Sequence, residues 1–444
     1  MWRVRIKLLL SVALLVSAAS LEATDTPQVS SERLRADVEK LVSFGTRHTL
    51  SSENDPVRGI GAARGWAEGE FRKTSKACGG CLEIVLPDRM VTGDRIPRPA
   101  HIVNVVAIQR GTERPNEVVI VQGHIDSRVS DVMNFTADAP GANDDGSGTA
   151  LVLEAARVLS KQKFPTTIIY AVLQGEEQGL FGGKLLADYA KAQGWTVKAV
   201  LNNDIVGNSR GSDGLVDDKH VRVFSEGPRA DSDDKLRATA RRFGGENDSP
   251  SRNLSRFVAG LTSPALAVRQ VWRADRMGRG GDHLPFQEMG IPAIRFSVAI
   301  EDYDHQHQDL RTENGVTYGD TAEFMDFRYL AKVTRLNVAA LSALAKAPMP
   351  PVVTLEGAVQ TFTTVKWTPV PGAVSYRVWS RRTDARDWGK SVRVNGAQPT
   401  SLKLDGVRGD DWLFGVSSVA ADGSESAIAS AVPGGQFAPL AKPR

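Results

Sequence analysis

The chain is nearly without cysteine, with two among 444 residues. Cys78 and Cys81, in KACGGCLE, have no second pair with which to complete a structural zinc site. No helical pattern follows them, which excludes a thioredoxin-like redox centre. In an oxidising compartment the pair is expected to close as a local disulfide, with Gly79 and Gly80 allowing the bend. A loop that short would add little stability. Excess charge is also lacking. The formal net charge is +3, and Arg3, Arg5 and Lys7 at the N-terminus account for as much. Recognition of nucleic acid or of a membrane surface by bulk charge is therefore not expected. Long apolar runs are missing as well. The one candidate, LLLSVALLVSAA, is short for a span of about 20 residues and follows the basic stretch MWRVRIK. It reads as a signal peptide over residues 1–23, which implies a secreted or periplasmic protein with no membrane attachment after cleavage.

What is present is a regular alternation of strand-like and helix-like segments. SSERLRADVEKLVSFG has a serine cap, helical apolar spacing and a glycine stop. GIGAARGWAEGEFRKTS reads as a second helix in which Ala62, Trp66 and Phe71 share a face. LEIVLP, HIVNVVAIQR, NEVVIVQGH, TTIIYAVLQGEE, VKAVLNNDIVG and IPAIRFSV read as strands. SGTALVLEAARVLSKQ, FGGKLLADYAKAQG and HLPFQEMG read as helices between them, and a long helix near residues 327–346 ends the series. This order predicts an α/β domain over residues 31–346, with a mixed, largely parallel central sheet and helices on both faces. APMPPV, residues 347–352, reads as a linker. Short β-like runs at 353–434 carry Trp367, Tyr376 and Trp379 and predict a small all-β sandwich resembling a fibronectin type III module. Residues 435–444 read as a tail.

In an open α/β sheet, ligands bind beyond the carboxyl ends of the strands, and there the polar residues of this chain collect. His124 and Asp126 follow VVIVQG. Asp144 and Asp145 lie in PGANDDGSG, before a helix. Glu176 and Glu177 follow IIYAVLQG, and Asp204 follows VKAVLNN. His305, His307 and Asp309 follow IRFSV. One aspartate at a strand end is ordinarily a turn or cap residue. Adjacent acids after a buried strand are costly to desolvate without a counter-charge, and a divalent metal supplies one. Histidine with carboxylate and no thiolate suits zinc, manganese or cobalt. The set exceeds what one zinc needs, and a carboxylate can bridge two ions.

HIDS, PGANDDGSG, GEEQGLFGG, NNDIVG and a late histidine segment, in that order, together with GDHLPFQEMGIPAIRF, resemble the co-catalytic dizinc aminopeptidases of secreted bacterial enzymes. Those are related to glutamate carboxypeptidases. The resemblance spans residues 31–346. It implies two zinc ions per chain. It further implies His124 and Asp204 on the first ion, Asp144 bridging, Glu177 and a late histidine on the second, Glu176 as general base, and Asp126 orienting His124. The family pattern Tyr-His-Thr-x-x-Asp is altered here to YDHQHQDL. Spacing to Asp309 favours His305, while register against the following loop favours His307, which is taken as the ligand. His283 is a candidate pocket residue through its motif. The implied activity is removal of N-terminal residues from a peptide substrate. A carboxypeptidase or other amidohydrolase on the same scaffold and a non-catalytic binding member are the alternatives; a one-zinc glutaminyl cyclase fits the ligand count less well. Ser147 lies outside a Gly-x-Ser-x-Gly elbow, which argues against a serine nucleophile.

Overall fold

A computed structural model describes residues 28–261 and 263–440. The expected signal peptide lies outside them. In chain order the first elements are α1 (Ser31–Val42), α2 (Ile60–Ala77), β1 (Glu83–Val85), β2 (Asp88–Gly93), β3 (Ile96–Val103), β4 (Val105–Gln109), β5 (Arg114–His124) and α3 (Gly146–Leu159). Then come β6 (Thr166–Leu173), α4 (Phe181–Ala192), β7 (Thr196–Asn203), β8 (His220–Phe224), α5 (Asp234–Phe243), α6 (Pro250–Ala259), β9 (Ala267–Val271), α7 (Leu284–Glu288) and β10 (Ala293–Val298). A short hairpin of β11 (Arg311–Glu313) and β12 (Val316–Tyr318) precedes α8 (Phe327–Lys346).

The main sheet runs β1-β4-β6-β5-β7-β10-β8-β9. Its central four strands, β6, β5, β7 and β10, are mutually parallel. The antiparallel pairs lie outboard, β1–β4 and β4–β6 on one side and β10–β8 on the other. Every residue of β6 is buried, as a strand covered on both faces requires. One face packs on α1, α3 and α8 through residues such as Leu34, Leu151 and Leu341. The other packs on α4 and α7 through Leu186, Ala190 and Phe286. Register aligns the strand ends: His124 is level with Leu173, and Asn203 with Phe296. The loops that follow β5, β6, β7 and β10 therefore open on one side of the sheet.

Two sequence expectations are corrected in detail. HIVNVVAIQR is two strands rather than one. Asn104 breaks it: its side chain is buried, donates to the Gly182 carbonyl and accepts from the Gln174 N–H. β3 then turns away to pair with β2, while β4 stays in the main sheet. In α2 the buried face is Ile60, Ala63, Ala67 and Phe71, with Ala62 and Trp66 flanking it. Cys78 and Cys81 are disulfide-bonded.

After α8 come β13 (Val353–Glu356), β14 (Phe362–Trp367), β15 (Ser375–Arg382), β16 (Lys390–Asn395), β17 (Ser401–Asp405), β18 (Trp412–Val419) and β19 (Ala429–Ser430). They form two antiparallel sheets, β13-β14-β17 and β16-β15-β18-β19. The sheets meet where Trp367 packs on Tyr376, ring centroids 5.4 Å apart. The segments read as linker and tail are both anchored. Lys198 Nζ donates to the Ala347 carbonyl at 2.7 Å, and Arg229 donates to the carbonyls of Gly434, Gln436 and Ala438.

Candidate metal centre

His124 ends β5, Asp204 follows β7 directly, and Asp144 lies in the loop entering α3. Single donor atoms of these three fall within 4.8 Å of one another. Donor atoms of Asp144, Glu177 and His307 form a second such group, and Asp144 belongs to both. His124 Nε2 is 3.2 Å from Asp144 Oδ1 and 3.9 Å from Asp204 Oδ2. His307 Nε2 is 2.8 Å from both Asp144 Oδ2 and Glu177 Oε1. The two oxygens of Asp144 thus face the two histidines separately.

Main-chain geometry aims these groups. Asp145 caps α3, accepting from the Gly148 N–H at 2.8 Å, and also accepts from the His124 N–H at 3.0 Å. The neighbouring peptide N–H groups of Asn143 and Asp144 donate to Asp320, the latter at 2.7 Å. Asp126 receives the N–H groups of Gly175, Glu176 and Glu177 at 2.9, 3.3 and 3.2 Å, and so sets the turn that carries both glutamates. Its carboxylate is 3.6 Å from His124 Nδ1, and its carbonyl is nearer, at 3.0 Å. The ring is therefore oriented chiefly by the Asp126 main chain, and the carboxylate acts mainly on the glutamate turn. His305 does not join either donor group. It pairs with Asp302 at 2.7 Å and packs on Phe324, ring centroids 3.5 Å apart.

The electrostatics are those of crowded carboxylates. Burial alone would depress the His124 ring, yet Asp126, Asp144 and Asp204 hold it well above the usual histidine range. His307 is likewise held up, at about 9 against the effect of burial, by Glu177 and Asp144. Burial pushes the Glu176 carboxyl well up and lifts Asp320 to about 7. His124 Nε2 is buried and, among the described residues, has no hydrogen-bond partner. A buried imidazole nitrogen without a partner, facing carboxylates that need positive charge, fits a divalent cation.

Three positions escaped the sequence reading. Arg295, fully buried on β10, lies 2.8 Å from Asp204 Oδ1 and 3.1 Å from Asp275. A lone arginine within IPAIRFSV was the available signal. Arg128 lies 2.8 Å from Glu177 Oε2 and 2.5 Å from His307 Nδ1. Asp320 is remote in sequence and carries no local pattern. His283, read as a pocket candidate, is fully buried and directs Nε2 to the Ala274 carbonyl at 2.8 Å.

The model of peptidase family M28 matches residues 104–327. A probable zinc metalloprotease of Leptosphaeria maculans is 44% identical over 92% of this chain and 96% of its own. Another, of Pyrenophora teres f. teres, is 43% identical over 90% and 84%. Both relatives are fungal, while the motifs resemble those of secreted bacterial enzymes. The fold is similar to that of LapA from Legionella pneumophila, an aminopeptidase. The TM-score is 0.50 at 21% identity, over 72% of this chain and 74% of that one. The chain belongs to peptidase family M28 and is a zinc metallopeptidase.

Proposed function

We propose that the protein is a secreted aminopeptidase that uses two zinc ions. The observation that carries this reading is the sharing of Asp144 between two separate donor groups. His124, Asp144 and Asp204 would hold one ion, and Asp144, Glu177 and His307 the other. Zinc in these positions supplies Lewis acidity toward the scissile carbonyl and makes water a nucleophile near neutral pH. Glu176 is the base: in its ionised form the carboxylate takes a proton from the attacking water and then passes it to the leaving amine. Its turn is fixed by the Asp126 carboxylate and by the Gly179 and Leu180 N–H groups, which donate to the Glu176 carbonyl at 2.9 Å. Arg295 holds Asp204, and Arg128 holds Glu177, each leaving one carboxylate oxygen for the ion. Residues 353–434 are read as a fibronectin type III-like module whose role is to brace the peptidase domain.

The test is hydrolysis of a panel of aminoacyl p-nitroanilides, N-acetylated peptides and C-terminally blocked peptides, with and without chelator. Chelator-sensitive release from free-amine substrates alone is expected. Cleavage that ignores the amine but requires a free C-terminal carboxylate would replace this reading with a carboxypeptidase.

A further inference from the structure

We propose that the mouth of this site receives a carboxylate carried by the substrate close to the scissile bond, and that Arg95 binds it. This rests on the aminopeptidase reading and names its substrate class.

β2 and β3 form a hairpin beside the turn that carries the two glutamates, and Arg95 sits at its tip. Arg95 Nη1 donates to the main-chain carbonyl of Glu177 at 2.9 Å. That bond holds an exposed guanidinium against the main chain of Glu177, whose side chain belongs to the second donor group. Among the described residues, its other N–H groups have no acceptor, and no carboxylate lies within 4 Å of it. The next arginine on the hairpin, Arg98, is also exposed and, among the described residues, has no acidic partner. Its guanidinium lies over Phe135, 5.3 Å from the ring centroid. Phe135 in turn packs on His48, whose ring contacts Gln178, the residue after Glu177.

Arg89, on the same hairpin but farther from the tip, pairs with Asp188 at 2.8 Å. Arg128 is not the receptor, because its N–H groups are directed to Glu177, His307 and the carbonyls of Val129 and Ser130. Arg95 therefore keeps a fork of donors that matches the two oxygens of a carboxylate. One residue of extended chain spans only about 3.5 Å. Two carboxylates come within such reach: the C-terminus of a dipeptide, or the side chain of an N-terminal Asp or Glu.

The experiment compares kcat/KM of the zinc-loaded enzyme for leucyl-alanine against leucyl-alanine amide, and for glutamyl against glutaminyl p-nitroanilide. One of these ratios is expected to reach about tenfold, as a charge-assisted hydrogen bond supplies. Which ratio rises identifies the source of the carboxylate. Arg95→Ala should bring that ratio near one, Arg95→Lys should restore part of it, and Arg89→Ala should leave it high. Ratios near one in the wild type, a high ratio surviving Arg95→Ala, or an equal fall in Arg89→Ala would each overturn the proposal. Leucyl p-nitroanilide separates the two failures. If it is cleaved while both ratios stay near one, only the carboxylate site falls. If no substrate is cleaved, the aminopeptidase reading falls and takes this site with it.

Discussion

Asp144 presents one carboxylate oxygen to His124 at 3.2 Å and the other to His307 at 2.8 Å. That division follows from the N–H groups that hold the loop: Asp320 fixes the peptide on one side and Asp145, capping α3, fixes the other. At this scale the candidate donors could be picked out because His124, Glu177 and Asp204 sit at or just after strand ends, and Asp144 and His307 in loops on the same side of the sheet, where ligands of an open α/β sheet bind. Their supports could not be. Asp320 reaches Asp144 across 176 positions of sequence, and pairing at that distance leaves no local trace. His305 and His307 face different ways. His307, at a φ of 57°, faces Glu177, while His305 faces Asp302. Glu176 has neither histidine as a close partner, which suits a proton carrier rather than a ligand. Glu176→Gln is expected to lower kcat by about a hundred- to ten-thousandfold while the chain still takes up zinc, as measured by metal analysis. Activity within tenfold of wild type would remove Glu176 from the base role.

The elements read most clearly were those with strong periodicity. β6 is buried throughout and the second half of β5 likewise, giving short apolar runs, while α3 buries nearly all of its residues and shows as a longer apolar-rich stretch. α5 and α6 were missed. α5 has no buried residue. α6 buries Arg252, Asn253 and Arg256 along with Leu254 and Val258, so polarity concealed an interior helix. Polar burial of this kind has a pH consequence in the segment joining β8 to α5. Burial raises Glu226 to about 7, against about 4.3 in an unfolded chain. The fold therefore binds this proton more tightly than the unfolded chain does. The resulting stability is fully present below about pH 4.3 and is lost as pH rises through about 7. Glu226→Gln keeps an acceptor for the Ala230 N–H and removes the cost of ionisation. Its melting temperature should exceed that of wild type at pH 8 and match it near pH 4. An equal difference at both pH values would contradict this assignment.

Across the whole molecule, the C-terminal sheets are fastened to the peptidase domain by buried charge rather than tethered by a flexible linker. Asp248, fully buried, receives Arg381 from β15 at 2.8 and 2.7 Å and Arg256 from α6 at 3.1 Å. Asn253 of α6 bonds to Ser430 at 2.8 Å and to Trp388 at 3.1 Å. Nothing in the sequence paired Asp248 with Arg381, since partners this far apart share no period or spacing. Removing one partner of a buried pair leaves a charge uncompensated, at a cost of about 3–5 kcal/mol. Arg381→Ala should therefore lower the melting temperature and open residues 347–352 to limited proteolysis. A variant as stable and protease-resistant as wild type would mean that the two parts are held by other contacts.

The central claim is that one carboxylate joins two ion sites. Native mass spectrometry of the chelator-stripped chain during zinc titration tests it most directly, with Asp144→Asn and His307→Ala alongside. Two ions on the wild type, one on His307→Ala and a loss at both sites in Asp144→Asn are expected. A wild type that saturates at one ion, or an Asp144→Asn chain that still takes up two with wild-type affinity, would contradict it.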